Sequence, residues 1–286
     1  MAVLCSIEQF CDCFYHMKAT PEADQLPGAC LRASGCCTGK TTALLARLRV
    51  LPSNKSGDSS LPADPEDIYI QLYCNATQQA HAEGFLMRDL QLLSSVRKAQ
   101  AEGQRRLELL IYLTNQPCHH SSSDSATSCT DQLLLWHHNT LKPLGVELLS
   151  IRAAFPYRSH WDATHMSEDE LVGLGRRAWG RHRERGGGDR RQALCRAHDL
   201  LRSAREGTSL LMSASAMDQG VTLSAFCEAD WRYLLSLCEP ALADLHARDA
   251  PPFTTEVKSM RATLDRFTQS VYDSFRPHDG GERDQL

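Results

Sequence analysis

The run LELLIYLT at residues 107–114 constrains the fold more than any other segment of this chain. Leu107, Leu109, Leu110, Ile111 and Leu113 make it apolar on both parities, the pattern of a strand buried on both faces rather than one lying half in water. Just beyond its end come Pro117 and Cys118, so whatever Cys118 does it does at the carboxyl edge of a buried strand. A chain of 286 residues with ordinary apolar content can bury one sizeable core, and a single domain over residues 1–286 is expected.

Upstream of that strand stands His81-Ala82-Glu83, and downstream stands Cys129. One histidine, two cysteines and a glutamate that is not a ligand are the residue set of a zinc-dependent nucleobase deaminase. Zinc held by one imidazole and two thiolates keeps a coordination position for water, which becomes acidic enough to attack near neutral pH. On a helix beginning near Gln79, the Glu83 carboxylate reaches the water side of His81 without ligating the metal, and a carboxylate there can carry protons from water to a ring nitrogen and a departing amine. Ser128 is suited to cap a helix that contains Cys129, Leu133, Leu134 and Leu135, and amides at a helix start favour the thiolate. The two cysteines are separated by a polar segment, HHSSSDSATS at 119–128, expected to be a loop insertion, and His119 or His120 is an alternative third ligand to Cys129.

With these residues in place, the chain resembles the AID/APOBEC-like polynucleotide cytidine deaminases, closest to the novel, SNAD-type branch with its longer segment between the cysteines. The resemblance implies an α/β, three-layer cytidine-deaminase-like fold with a central five-stranded mixed sheet flanked by helices. It implies a first helix at 6–17, strands at 41–50, 67–74, 107–114, 146–154 and 209–216, helices at 81–99 and 129–141, and closing helices at 223–238 and 255–275. It implies zinc on His81, Cys118 and Cys129, with Glu83 as the proton carrier, and conversion of cytosine to uracil in single-stranded DNA or RNA. Asn75 corresponds to a pocket asparagine that contacts the target nucleoside, and Lys40 lies in a loop bordering the site. Phe155, Tyr157, Arg158 and Trp161 lie in the loop that reads the neighbouring nucleotide.

The residues leave several alternatives open. Aromatic faces stack on unpaired bases and arginine pairs with phosphate, but Phe155 and Tyr157 are equally suited to closing the edge of a core. A deaminase of free cytidine or nucleotides would use the same centre, and a zinc-stabilised module that binds nucleic acid or protein without turnover would use the metal alone. The stretch RRAWGRHRERGGGDRR, at 176–191, sits in an expected insertion at 162–190 ahead of a helix at 191–205. It is either a funnel for a polyanion, against a formal net charge of −4, or a solvated surface loop. Residues 277–286 are expected to form a disordered tail.

Other readings fit the residues less well. Gly35-Cys-Cys-Thr-Gly39-Lys40-Thr41 resembles a phosphate-binding loop, but three residues separate its glycines where four are needed, and LRAS precedes it instead of a buried strand. The N-terminal segment lacks the basic and apolar regions of a signal peptide, no stretch approaches a membrane span, and a framework of disulfides fits poorly with twelve cysteines that include the neighbours Cys36 and Cys37. A reducing cytoplasmic or nuclear setting is expected. Secretion, in which Asn54 and Asn75 would become glycosylation acceptors, is the weaker alternative.

Overall fold

A computed structural model describes residues 43–51, 66–74, 81–103, 106–119, 128–178, 189–238, 240–250 and 253–277. Five strands form one mixed sheet: β1 (Ala43–Val50), β2 (Glu66–Cys74), β3 (Leu107–Leu113), β4 (Val146–Ala153) and β5 (Val221–Ala225), in the order β2-β1-β3-β4-β5. β1 runs antiparallel to β2 and β3, whereas β3, β4 and β5 are mutually parallel. Helices cover both faces, which makes this the expected three-layer α/β arrangement.

β3 explains the layering. All seven of its residues are buried, and alternate side chains go to opposite faces. Leu107, Leu109, Ile111 and Leu113 join Leu44, Ala46 and Leu48 of β1 beneath α1 (Ala82–Met87), α2 (Leu90–Ala101), α3 (Cys129–Trp136) and the later turns of α5 (Arg190–Ala216). Leu110 and Tyr112 point the other way, towards Leu45, Phe226, Trp231 and Leu264 beneath α6 (Glu228–Ser236) and α8 (Thr255–Asp273). Parallel neighbours bring the carboxyl ends of β3 and β4 to the same edge, where crevices between strand-end loops form.

The expected helix at 81–99 is two helices. Asp89 interrupts it: its side chain accepts from the backbone N–H groups of Gln91 and Leu92 and so starts α2 afresh after the short α1. The same carboxylate accepts hydrogen bonds of 2.5 Å from both Tyr69 and Tyr73, which fastens α2 to β2.

The strand expected at 209–216 is helical. Those residues are the last two turns of α5, a 27-residue helix that also absorbs the helix expected at 191–205. Ala193, Ala197, Leu201, Ala204, Thr208, Leu211 and Met212 recur at helical spacing on its buried side, and this 3.6-residue period outweighs the local apolar content of SLLMSASA. The chain then reverses through Asp218 and Gly220, both at positive φ, into the true fifth strand, VTLSA, whose burial alternates. The closing helix expected at 223–238 accordingly begins only at Glu228, and α7 (Pro240–Ala247) lies between it and α8.

Within 162–190, the described part is not loop alone. α4 (Glu168–Ala178) packs Leu171 and Leu174 against Ala197 and Leu201 of α5, forming a small core of its own. The helices approach so closely that a Cβ at Gly175 would fall 1.8 Å from the Ala193 carbonyl oxygen. The expected helix at 6–17, most of the loop at 119–128, the glycine-rich residues 179–188 and residues 278–286 lie outside the described residues. Among the described residues, no helix is long and apolar enough to cross a membrane.

Candidate metal centre

Three elements bring three ligand atoms together. His81 is the N-cap residue of α1, Cys118 follows β3, and Cys129 is the first residue of α3. His81 Nδ1 lies 3.1 Å from Cys129 Sγ and 3.4 Å from Cys118 Sγ, and the three ligand atoms are all within 4.8 Å of one another. Tetrahedral zinc with ordinary Zn–N and Zn–S bonds places a nitrogen and a sulfur about 3.5 Å apart, so the spacing and the soft donor set fit a zinc-like ion.

Backbone bonds hold the two cysteines in register across the intervening segment. The Thr130 N–H donates to the Cys118 carbonyl over 3.0 Å, and the Thr130 hydroxyl donates to the Pro117 carbonyl over 3.2 Å. Ser128 caps α3 by accepting from the Asp131 N–H over 3.1 Å, which fixes the turn that presents Cys129. His119 faces Ser128 and Asp131, with Nδ1 at 3.3 Å and 3.7 Å respectively, and is not part of the three-residue cluster. Cys129 therefore occupies the position for which His119 was the alternative; His120 lies outside the described residues.

Glu83 sits in the first turn of α1 and is only 3 % exposed, yet its Oε2 has no hydrogen-bond partner among the described residues. Burial pushes its pKa up to about 7, with the Cys118 charge adding in the same direction and the Glu83 backbone, His81 and Cys129 opposing. Without metal, hydrogen bonding from Cys129 pushes the Cys118 thiol down, and the reciprocal bond with burial pushes Cys129 up. The hydrogen bond with Cys118 raises His81, against the opposing effect of burial. These directions favour a thiolate at Cys118 beside a protonated His81, and a divalent ion could take the place of that positive charge.

Two supports were not visible in the sequence. Gln116, buried, accepts from Ser159 through Oε1 at 3.4 Å, donates through Nε2 to Thr208 at 2.8 Å, and donates its N–H to the Phe155 carbonyl at 3.0 Å. It couples the loop carrying Cys118 to the loop after β4 and to α5. Gly207, on α5, is the second: a Cβ there would meet the His119 Cβ at 2.6 Å. Gly207 and Thr208 fall between the helix expected at 191–205 and the strand expected at 209–216, so no periodicity argument could bring them to the site.

The loop after β4 divides the candidate substrate residues. Phe155 is 9 % exposed, stacked under the Arg261 guanidinium at 5.2 Å, and closes the second core. Tyr157 is half-buried at φ +49°, and the Arg158 guanidinium lies 4.9 Å from its ring and 5.9 Å from that of Trp161. Trp161 packs against the α4–α5 core while its indole Nε1 lacks a hydrogen-bond partner among the described residues. Lys40 and Asn75 lie outside the described residues.

Neither a protein-family model nor a curated protein matches this sequence.

Proposed function

We propose that this protein is a zinc-dependent cytidine deaminase of the AID/APOBEC-like kind, acting on cytosine in single-stranded DNA or RNA. Glu83 carries the reading, because a buried carboxylate with one oxygen unpartnered among the described residues stands beside a His–Cys–Cys ligand set. A purely structural zinc site takes four protein ligands, whereas this cluster offers three among the described residues, together with a spare acid-base group.

Zinc held by His81, Cys118 and Cys129 would supply the Lewis acidity that makes water nucleophilic near neutral pH. Glu83 would take a proton from that water, deliver it to the cytosine ring nitrogen, and protonate the leaving amine, so that water is consumed, ammonia departs and uracil remains. Tyr157, Arg158 and Trp161, joined to the Cys118 loop through Gln116 and Ser159, supply the stacking and phosphate-pairing groups that an unpaired strand requires.

Incubation of the purified, zinc-loaded protein with cytosine-containing single-stranded DNA and RNA, read by sequencing, tests this. Uracil is expected with the native chain and absent with Glu83→Ala at unchanged zinc content. Activity retained in Glu83→Ala, or uracil in neither pool, overturns it.

A further inference from the structure

A cleft of about 760 Å³ opens between α6, α8 and the carboxyl end of β5. None of His81, Glu83, Cys118 and Cys129 lines it, so it is separate from the metal centre. Its volume falls within the range of small-molecule sites.

The walls carry uncompensated positive charge. Glu228 is paired with Arg232 at 3.2 Å, and Asp265 with Arg261 at 2.7 Å, so each lining carboxylate already has its own arginine. Lys258 is likewise engaged with Asp249. Arg152 and Arg266 also line the cleft, and neither has a carboxylate partner among the described residues. Arg152 reaches it from β4, held by a 2.7 Å bond to Ser224, while Arg266 stands exposed on α8.

Arg261 serves as a wall rather than as a free donor. It is 3 % exposed, its guanidinium is bound to Asp265 and the Ala154 carbonyl, and it lies 5.2 Å from the Phe155 ring and 5.1 Å from the Trp231 ring. The site is also pre-formed, since Asp265 holds Arg261 and accepts from the Trp231 indole at 2.7 Å. Phe226 and Trp231 add an apolar wall.

We propose that this cleft binds a small organic oxyanion, a phosphate ester or carboxylate on an apolar body, with Arg152 and Arg266 taking the charged end. Arginine forks match both anions, and the aromatic wall takes the remainder.

Calorimetric titration of the full-length, zinc-loaded protein with phenyl phosphate, benzoate, inorganic phosphate and benzyl alcohol tests the proposal. Saturable binding is expected for phenyl phosphate or benzoate, whichever is tighter naming the anion, with inorganic phosphate weaker and benzyl alcohol not bound. Arg152→Gln and Arg266→Gln should each weaken binding by about tenfold, the loss of one charge-assisted hydrogen bond. Arg202→Gln, a substitution on the exposed face of α5, should leave it intact. No saturable binding of either aromatic anion overturns the proposal, and so does binding indifferent to Arg152 and Arg266.

Discussion

Gly207 and His119 touch through backbone-proximal atoms: a Cβ added at Gly207 would lie 2.6 Å from the Cβ of His119. A helix built from a distant part of the chain thereby bears directly on the residue that follows the candidate ligand Cys118. In a free helix, Gly→Ala stabilises by about 1 kcal/mol. Here the sign should reverse, because the obstructing atom is a Cβ that cannot rotate away. Gly207→Ala is expected to destabilise by about 1–3 kcal/mol and to weaken zinc binding, measured by denaturant titration and chelator competition. A variant more stable than the native chain, with unchanged zinc affinity, would contradict this.

Zinc affinity should rise with pH. In the metal-free cluster, the hydrogen bond with Cys118 raises His81, and the hydrogen bond with Cys118 together with burial raises Cys129, so the ion must displace protons that both groups hold more firmly than usual. At least one proton is released per zinc through neutral pH, and apparent affinity should climb about tenfold per pH unit. Chelator competition at three pH values between 6 and 8 measures the slope, and a flat profile would refute it.

Asp89 should be a stability determinant that acid switches off. Burial opposes its ionisation, but the hydroxyls of Tyr69 and Tyr73 and the N–H groups of Leu92 and Gln91 outweigh that and hold its pKa below the ordinary value. Its contribution is therefore fully present above the usual carboxylate pKa of about 4 and is lost as pH falls through the depressed one. Asp89→Ala removes a helix cap and two charge-assisted bonds, and should cost about 3 kcal/mol at pH 7. Denaturation curves for both proteins should converge in acid; an equal difference at pH 7 and pH 2 would show that the charge is irrelevant.

Tyr157 tests whether the loop after β4 serves binding or folding. Its left-handed backbone, φ +49°, costs about 1–2 kcal/mol for a residue with a side chain, close to what glycine loses in chain entropy. Tyr157→Gly should thus stay within about 1 kcal/mol of native stability, while affinity for a cytosine-containing single strand drops by about 1–3 kcal/mol through lost stacking. Thermal melting and fluorescence anisotropy separate the two. Large destabilisation with intact binding would make the ring a structural one.

The sequence alone determined the local chemistry. β3 was legible because its leucines are apolar on both parities, and α3 because Ser128 precedes an apolar run. His81, Glu83, Cys118 and Cys129 stood out because their residue types suit one metal and one proton carrier. Tertiary structure decided which of these meet: His81 approaches partners 37 and 48 residues away, and no local period encodes that separation. It also decided the fate of 209–216, where a composition compatible with a strand was carried into α5 by a buried face that began near Ala193. The support from Gly207 and Gln116, like the charge left over at Arg152 and Arg266 in the second cleft, depends on which faces pack together. Periodicity announces that a face is buried; only packing says against what.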